Sequence, residues 1–251
     1  SHSAVNPQRV RIDGETYLGD QLIQAKDSMI PDRITKIAAG EHHMVALTQS
    51  GRVWAWGRNE SGQLGNGNQS DQGYAVPVLA GEQSTYVCDE CGAIHYSVPS
   101  SGKCVCGGES FTRSPYLEKI IGLAAGTSHT LALTDGGRVW SWGSHQYGQL
   151  GARQYPDNIK STTPVQVKGY LAQGSLENVV KVAAGGHSSA ALLRDGSIWA
   201  WGRNDAGQLG QGKDAPTRIT LATQVKAGQQ YHSSFREDPD ETKKLYLQEI
   251  V

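Results

Sequence analysis

Three stretches of this chain align with one another without a gap, and that repetition constrains the fold more than any other feature. Residues 37–65 read IAAGEHHMVALTQSGRVWAWGRNESGQLG, residues 123–151 read LAAGTSHTLALTDGGRVWSWGSHQYGQLG, and residues 182–210 read VAAGGHSSAALLRDGSIWAWGRNDAGQLG. Gly40, Gly126 and Gly185 are separated by 86 and 59 residues, and so are Trp54, Trp140 and Trp199. The 29-residue unit is therefore rigid, and insertions fall between its copies. All six tryptophans lie inside it. An internal period of this kind marks a repeat architecture, in which each unit buries its apolar face against the next.

Each unit has a local reading. His43–Leu47 and Arg52–Trp56 are short runs rich in apolar, β-branched and aromatic residues, with T-Q-S-G between them. The other copies place T-D-G-G and R-D-G-S there. Two such runs about a Gly-bearing turn predict a hairpin. The expected pairs are 43–47 with 52–56, 129–133 with 138–142, and 188–192 with 197–201. Ala38, Ala39 and Gly40 are small, as are their counterparts at 124–126 and 183–185. Small residues let backbones approach closely, which a radial array needs nearest its axis. G-x-N-x-x-G-Q-L-G, at 57–65 and 202–210, is a polar loop with one apolar anchor, Leu64 or Leu209. Pro77-Val78 and Pro164-Val165 read as edge strands, where proline is tolerated. Alternation puts both tryptophans of each W-x-W on one strand face, with at least one per pair expected to be buried between units.

Several strands per unit, no helical period and a turn every ~8–12 residues predict an all-β repeat. At this unit size the blades of a β-propeller fit better than the shorter rungs of a β-helix. The pattern A-A-G-x-x-H…L-T-x-x-G-x-V-W-x-W-G-x-N-x-x-G-Q-L-G resembles the regulator of chromosome condensation (RCC) repeat family. Its tryptophan pair is similar to bacterial members more than to the animal founder. The resemblance covers 87 residues closely and the linking segments weakly. It implies a propeller, commonly of about seven blades, that serves as a protein-interaction surface. It also implies a bacterial or phage-associated origin, with a cell surface or virus particle favoured over the cytoplasm.

The chain divides accordingly. Residues 1–36 read as the last strand of a preceding blade plus a linker, on the strength of V-N-P-Q-R-V at 5–10. Propeller repeats are expected at 37–80, 113–171 and 172–222, with a four-cysteine module inserted at 81–112 and a partial or divergent repeat at 223–251. In that last piece Val225-Lys226-Ala227-Gly228 restarts the motif and Tyr231–Phe235 continues it, but the W-x-W-G half never follows. R-E-D-P-D-E-T-K-K and L-Y-L-Q-E-I-V then read as a hairpin with a long charged turn, or as a short helix capped by Asp238 with Pro239 at its first position. Three full and two partial repeats make a partial ring. Propellers close with ~4–8 blades. The remainder is expected from missing sequence or from partner chains, copies of this one included. With Ser at its first position, the chain reads as processed or as part of a longer one.

The second strong signal is YVCDECGAIHYSVPSSGKCVCGGESF at 86–111. It holds all four cysteines, Cys88, Cys91, Cys104 and Cys106, spaced C-x2-C, twelve residues, C-x-C. Four thiolates suit tetrahedral zinc, and each short pair grips one side of the ion. Gly92 and Gly107-Gly108 permit the turns in which backbone N–H groups point at sulfur. The segment resembles a zinc ribbon or rubredoxin-type knuckle, although C-x-C departs from the usual C-x2-C. An insert of this size is too small for an apolar core of its own and needs such a staple. Structural zinc is the expectation. Iron in the same ligand set, or two disulfides in an oxidising compartment, are the alternatives, and His95 is a spare ligand. Four cysteines close the coordination shell, so a catalytic zinc is a poor fit. The module is either a stabilised loop on one propeller face or a docking element. Lys103 and Arg113 form no basic cluster, which favours protein over nucleic acid as its partner.

The rest is less specific. His43 and His129 share one repeat position and His42 and His187 share the one before it, so hydrogen bonding within blades explains them better than catalysis. Asn59, Asn66, Asn68 and Asp71 lack the order of a calcium loop and read as turn chemistry. Tyr147, Arg153 and Tyr155 have the composition of an interface rim. Net charge is −1, against nucleic-acid binding through bulk charge. No apolar run approaches the ~18 residues of a membrane span, and no signal peptide is visible. No nucleophile elbow, zinc-protease or phosphate-loop motif is present. The function expected is a non-catalytic interaction scaffold, part of a larger assembly. Guanine-nucleotide exchange on a small GTPase is the alternative.

Overall fold

The computed structural model describes residues 32–81, 86–91, 93–95, 99, 101–152, 159–169 and 174–226. Each repeat forms one four-stranded antiparallel meander. Blade 1 is β1 (Ile34–Ala39), β2 (His43–Thr48), β3 (Val53–Gly57) and β4 (Gln72–Pro77), hydrogen-bonded in that order. A small three-stranded sheet follows, from β5 (Tyr86–Cys88), β6 (Ile94–His95) and β7 (Phe111–Arg113), with β5 in the middle. Blade 2 is β8 (Ile120–Ala125), β9 (His129–Thr134), β10 (Val139–Ser144) and β11 (Lys160–Gln166). Blade 3 is β12 (Val179–Gly185), β13 (Ser188–Leu193), β14 (Ile198–Arg203) and β15 (Arg218–Gln224). The architecture is all-β and made of propeller blades. Among the described residues there is no helix, and so none long and apolar enough to cross a membrane.

The predicted hairpins pair in register: Val45 faces Ala55, Leu131 faces Ser141 and Ala190 faces Ala200. The proline segments lie on outer edge strands. Pro77 ends β4 opposite Trp54, and Pro164 sits at a register shift in β11, so no ladder bond is lost to the missing N–H. The first blade's inner strand starts at Ile34, three residues before the expected boundary at 37.

Inner strands β1, β8 and β12 lie side by side. There the small residues do what the sequence implies. A Cβ on Gly40 would collide with the His43 ring and stand 2.7 Å from the Gly126 carbonyl of the next blade. A Cβ on Gly126 would meet the His129 ring and the Gly186 carbonyl in the same way. Thr127 N–H donates across to the Gly186 carbonyl at 2.8 Å.

The core is not inside a blade but between blades. One apolar cluster joins Val45, Leu64 and Val78 of blade 1 to Leu117, Ile120 and Trp142 of blade 2. A second joins Leu131, Val139 and Val167 of blade 2 to Leu176, Val179 and Trp201 of blade 3. Trp142 and Trp201 are fully buried and Trp140 nearly so, as expected of each pair. Blade 1 departs: Trp54 and Trp56 are only half-buried, because among the described residues nothing covers the face that Trp142 and Trp201 bury on their own blades. Ile34 and Ile37 on that face are 39% and 67% exposed.

Polar groups at the two seams follow one scheme. His43 Nε2 bonds Thr130 Oγ1 at 3.0 Å, and that hydroxyl donates back to the Gln63 carbonyl at 3.2 Å. Trp142 Nε1–H donates to the same carbonyl at 2.8 Å. At the next seam His129, Ser189, Gln149 and Trp201 repeat every bond, at 2.9 Å each. The recurring histidine is a seam residue, and burial among apolar groups drives its pKa down, to about 4 at His43 and about 3 at His129.

Val225 and Lys226 close blade 3 instead of opening a fourth. Val225 N–H donates to Ile198 O at 2.8 Å and Lys226 N–H to Gly210 O at 3.0 Å. Val78 and Leu79 make these bonds in blade 1, to Val53 and Gly65, and Val167 and Lys168 make them in blade 2, to Val139 and Gly151. Val225-Lys226-Ala227-Gly228 thus matches Val78-Leu79-Ala80-Gly81, not the A-A-G signature. The strand expected at 5–10, the rest of the partial repeat and the hairpin-or-helix segment lie outside the described residues.

Candidate metal centre

The cysteine module hangs from the linker between blades 1 and 2 on a closed stem. Leu79 bridges Tyr116, Leu117 N–H donates to Val78 O at 3.0 Å, and Ala80 N–H to Pro115 O at 2.8 Å. The shorter linker between blades 2 and 3 has the same base, with Lys168 bridging Ser175 and Leu176 N–H donating to Val167 O at 3.0 Å. The insertion therefore leaves and rejoins the propeller at adjacent points.

Within the module, β5 delivers Cys88 and the turn to β6 delivers Cys91; the turn before β7 delivers Cys104 and Cys106. The four Sγ atoms lie within 4.8 Å of one another. Cys88 and Cys106 Sγ are 3.6 Å apart, and Cys91 and Cys104 Sγ 3.5 Å. A tetrahedron with metal–sulfur bonds of ~2.3 Å has edges of ~3.75 Å. The thiols are free, two buried and two exposed, as in a centre set at the rim of a module. Gly107 takes φ +91°, which lets the C-x-C turn close through Gly107 N–H to Cys104 O at 2.9 Å and Cys104 N–H to Gly108 O at 2.8 Å. Gly108 N–H points at Cys106 Sγ, 3.4 Å away, as the glycine pattern implied.

Crowded thiols divide their protons unevenly. Desolvation pushes Cys88 up to about 12, beside the Glu90 carboxylate at 3.2 Å. The backbone N–H of Cys106, and with it the His95 ring at 3.4 Å, hold Cys104 down at about 6. Four like groups this close ionise together only when a cation compensates them, so the donor set fits a thiophilic divalent ion. His95 stands beside the cluster, stacked edge-on against Phe111, as a neighbour of Cys104.

Of the other sequence candidates, the asparagine loop is a turn: Asn59 Nδ2 donates to acceptors of Asn66, Asn68 and Ser70 at 3.0–3.1 Å. Tyr147 stacks on His187 at 4.7 Å with Arg203 over its ring at 5.2 Å, so it is a seam contact between blades 2 and 3. Arg153 and Tyr155 lie outside the described residues.

The regulator of chromosome condensation (RCC1) repeat is found in two forms, one at 34–63, 120–149 and 179–208, the other at 50–95, 136–192 and 195–232. The second form covers more than half of the 251 residues. The chain belongs to the RCC1 repeat family. Residues 96–119, which carry Cys104 and Cys106, fall between the stretches matched. The chain is 33% identical to the ultraviolet-B receptor UVR8 of Arabidopsis thaliana over 213 residues, 76% of this chain and 47% of UVR8. It is 32% identical to the human E3 ubiquitin-protein ligase HERC2 over 209 residues, 74% of this chain and 4% of HERC2. It thus spans less than half the length of these RCC1 relatives. In three dimensions human WBSCR16 superposes with a TM-score of 0.56 at 21% identity, over 80% of this chain and 39% of that one, which supports the fold alone.

Proposed function

We propose that this RCC1 chain is a non-catalytic protein-binding scaffold, an arc of blades carrying a zinc-stapled docking module at 81–112. The observation that carries the reading is the convergence of Cys88, Cys91, Cys104 and Cys106 on a module that is tied to the propeller by its stem alone. Such a staple orders a short insert that has no apolar cluster of its own, and four thiolates leave no open coordination position for chemistry. Val105, between two of the cysteines, is 97% exposed, an apolar side chain held out at the tip. The buried histidines meanwhile are committed to blade seams. A receptor and a ubiquitin ligase among the relatives carry similar blades, in keeping with blades as a reusable interaction unit. A setting at a cell surface or in a virus particle goes with this reading and rests on the tryptophan-pair form of the repeats.

The test is affinity capture with mass spectrometry from the native source, run with metal-loaded protein and with a Cys104→Ser, Cys106→Ser variant. A protein partner retained by the first and lost by the second supports the docking module. Capture of a small GTPase whose nucleotide release the chain accelerates would instead make it an exchange factor.

A further inference from the structure

Blade 3 presents the same outgoing face as blades 1 and 2, and among the described residues nothing covers it. At both internal seams the next segment enters by a fixed set of bonds. A leucine donates its N–H to the valine that ends the outer strand, Leu117 to Val78 and Leu176 to Val167, each at 3.0 Å. Three residues on, a β-branched residue donates to the turn glycine, Ile120 to Gly51 and Val179 to Gly137, each at 3.0 Å. Between them an acidic residue meets the arginine that follows that glycine: Arg52 with Glu118 at 2.9 Å and Arg138 with Glu177 at 3.4 Å. All four entering apolar residues are buried.

The receptors recur on blade 3. Val225 holds the place of Val78 and Val167. Gly196 holds that of Gly51 and Gly137, with φ +83° against +84° and +73°. A Cβ on either of those glycines would touch the entering strand, whereas one on Gly196 would meet nothing within 4 Å. Ser197 stands where the arginines stand.

The entering pattern also recurs. Tyr116-Leu117-Glu118-Lys119-Ile120-Ile121 and Ser175-Leu176-Glu177-Asn178-Val179-Val180 are matched by Tyr246-Leu247-Gln248-Glu249-Ile250-Val251, outside the described residues. The departures agree with each other: where Ser197 replaces the arginine, Gln248 replaces the glutamate. Glu118 is fully buried, and a carboxylate kept at such a site without its cation is costly, so the paired change leaves the seam neutral. Reach is ample. Twenty residues separate Val225 from Tyr246, while seven span the same step from Val167 to Ser175.

We infer that the outgoing face of blade 3 is the docking site for residues 246–251 of the same chain, which enter as the inner strand of a fourth blade, Leu247 in the place of Leu117 and Ile250 in that of Ile120. The inference is independent of the metal centre. Hydrogen exchange followed by mass spectrometry on the full chain tests it. The peptide holding Leu247 and Ile250 is expected to be protected like the one holding Leu117 and Ile120, at all protein concentrations, and Leu247→Asp is expected to speed its exchange by about a hundredfold or more. Gln248→Glu is expected to lower the melting temperature, and Ser197→Arg in the same chain to restore it. Exchange of the wild-type peptide at the rate of an unstructured one overturns the assignment. So does protection that appears only with a concentration-dependent dimer, which would make a second copy the occupant, or a Gln248→Glu effect that Ser197→Arg does not change.

Discussion

The blade seams and the cysteine module are held by opposite means. A seam buries whole side chains from two sheets and closes its polar accounts across the gap, with Trp142 Nε1 and the Thr130 hydroxyl converging on the Gln63 carbonyl. The module has strands of two or three residues and gathers four thiols instead. A repeat can recruit its neighbour's surface, whereas an insert on a stem has no neighbour. The seam is therefore expected to be robust to metal and sensitive to volume and acid, and the module the reverse.

Metal removal should separate the two most sharply. Elemental analysis is expected to find one zinc per chain, and chelation to open 81–112 to protease while the three Trp-rich blocks stay resistant, since thiolate binding and folding of the module are coupled. Two disulfides found by mass spectrometry in place of the metal would remove the contrast. Next in size, Trp142→Ala or Trp201→Ala should cost ~3–5 kcal/mol in denaturant titration, and Trp56→Ala, on the half-covered face of blade 1, clearly less. A cost below ~1 kcal/mol at both buried sites would break the seam account.

Acid should act on the seams in a defined window. His43 and His129 are neutral when folded, with pKa values of about 4 and about 3, while in the unfolded chain they take up protons below ~6.5. Their contribution is intact above ~6.5 and is lost as pH falls toward the folded values, by up to ~1.4 kcal/mol per pH unit for each histidine. His129→Gln should flatten that slope in melts between pH 6 and pH 4, both values being about the limits of this window. Smallest of all, Arg138→Ala removes an ion pair that is half exposed on both sides, and should cost ~0–1 kcal/mol, vanishing in high salt.

The sequence announces what repeats and hides what the repeats share. Strand pairs, the turn between them and the edge prolines follow from 29-residue blocks because alternation and turn residues are local signals. The four ligands are legible too, since spacing alone groups them. The seam relay is not, because each bond joins a residue of one copy to a residue of another: Met44, Thr130 and Ser189 share a position whose meaning depends on which histidine lies opposite. Val225 misleads for a different reason. V-K-A-G resembles V-A-A-G, but three aligned pairs of backbone bonds place it with V-L-A-G at the close of a blade. Comparing linkers as well as blocks would have found it.

The stem at Val78–Ala80 and Pro115–Leu117 makes the linker a graft port. Because its two ends are bonded to each other before the loop departs, the length and content of what lies beyond do not reach the seam. Closing a loop costs only ~0.6 kcal/mol more for each doubling of length. The residues between Ala80 and Pro115 can then be exchanged for a short turn, or a different module hung there, without renegotiating how blade 1 meets blade 2. Diversity in such a chain is free to accumulate at these junctions while the blades stay alike.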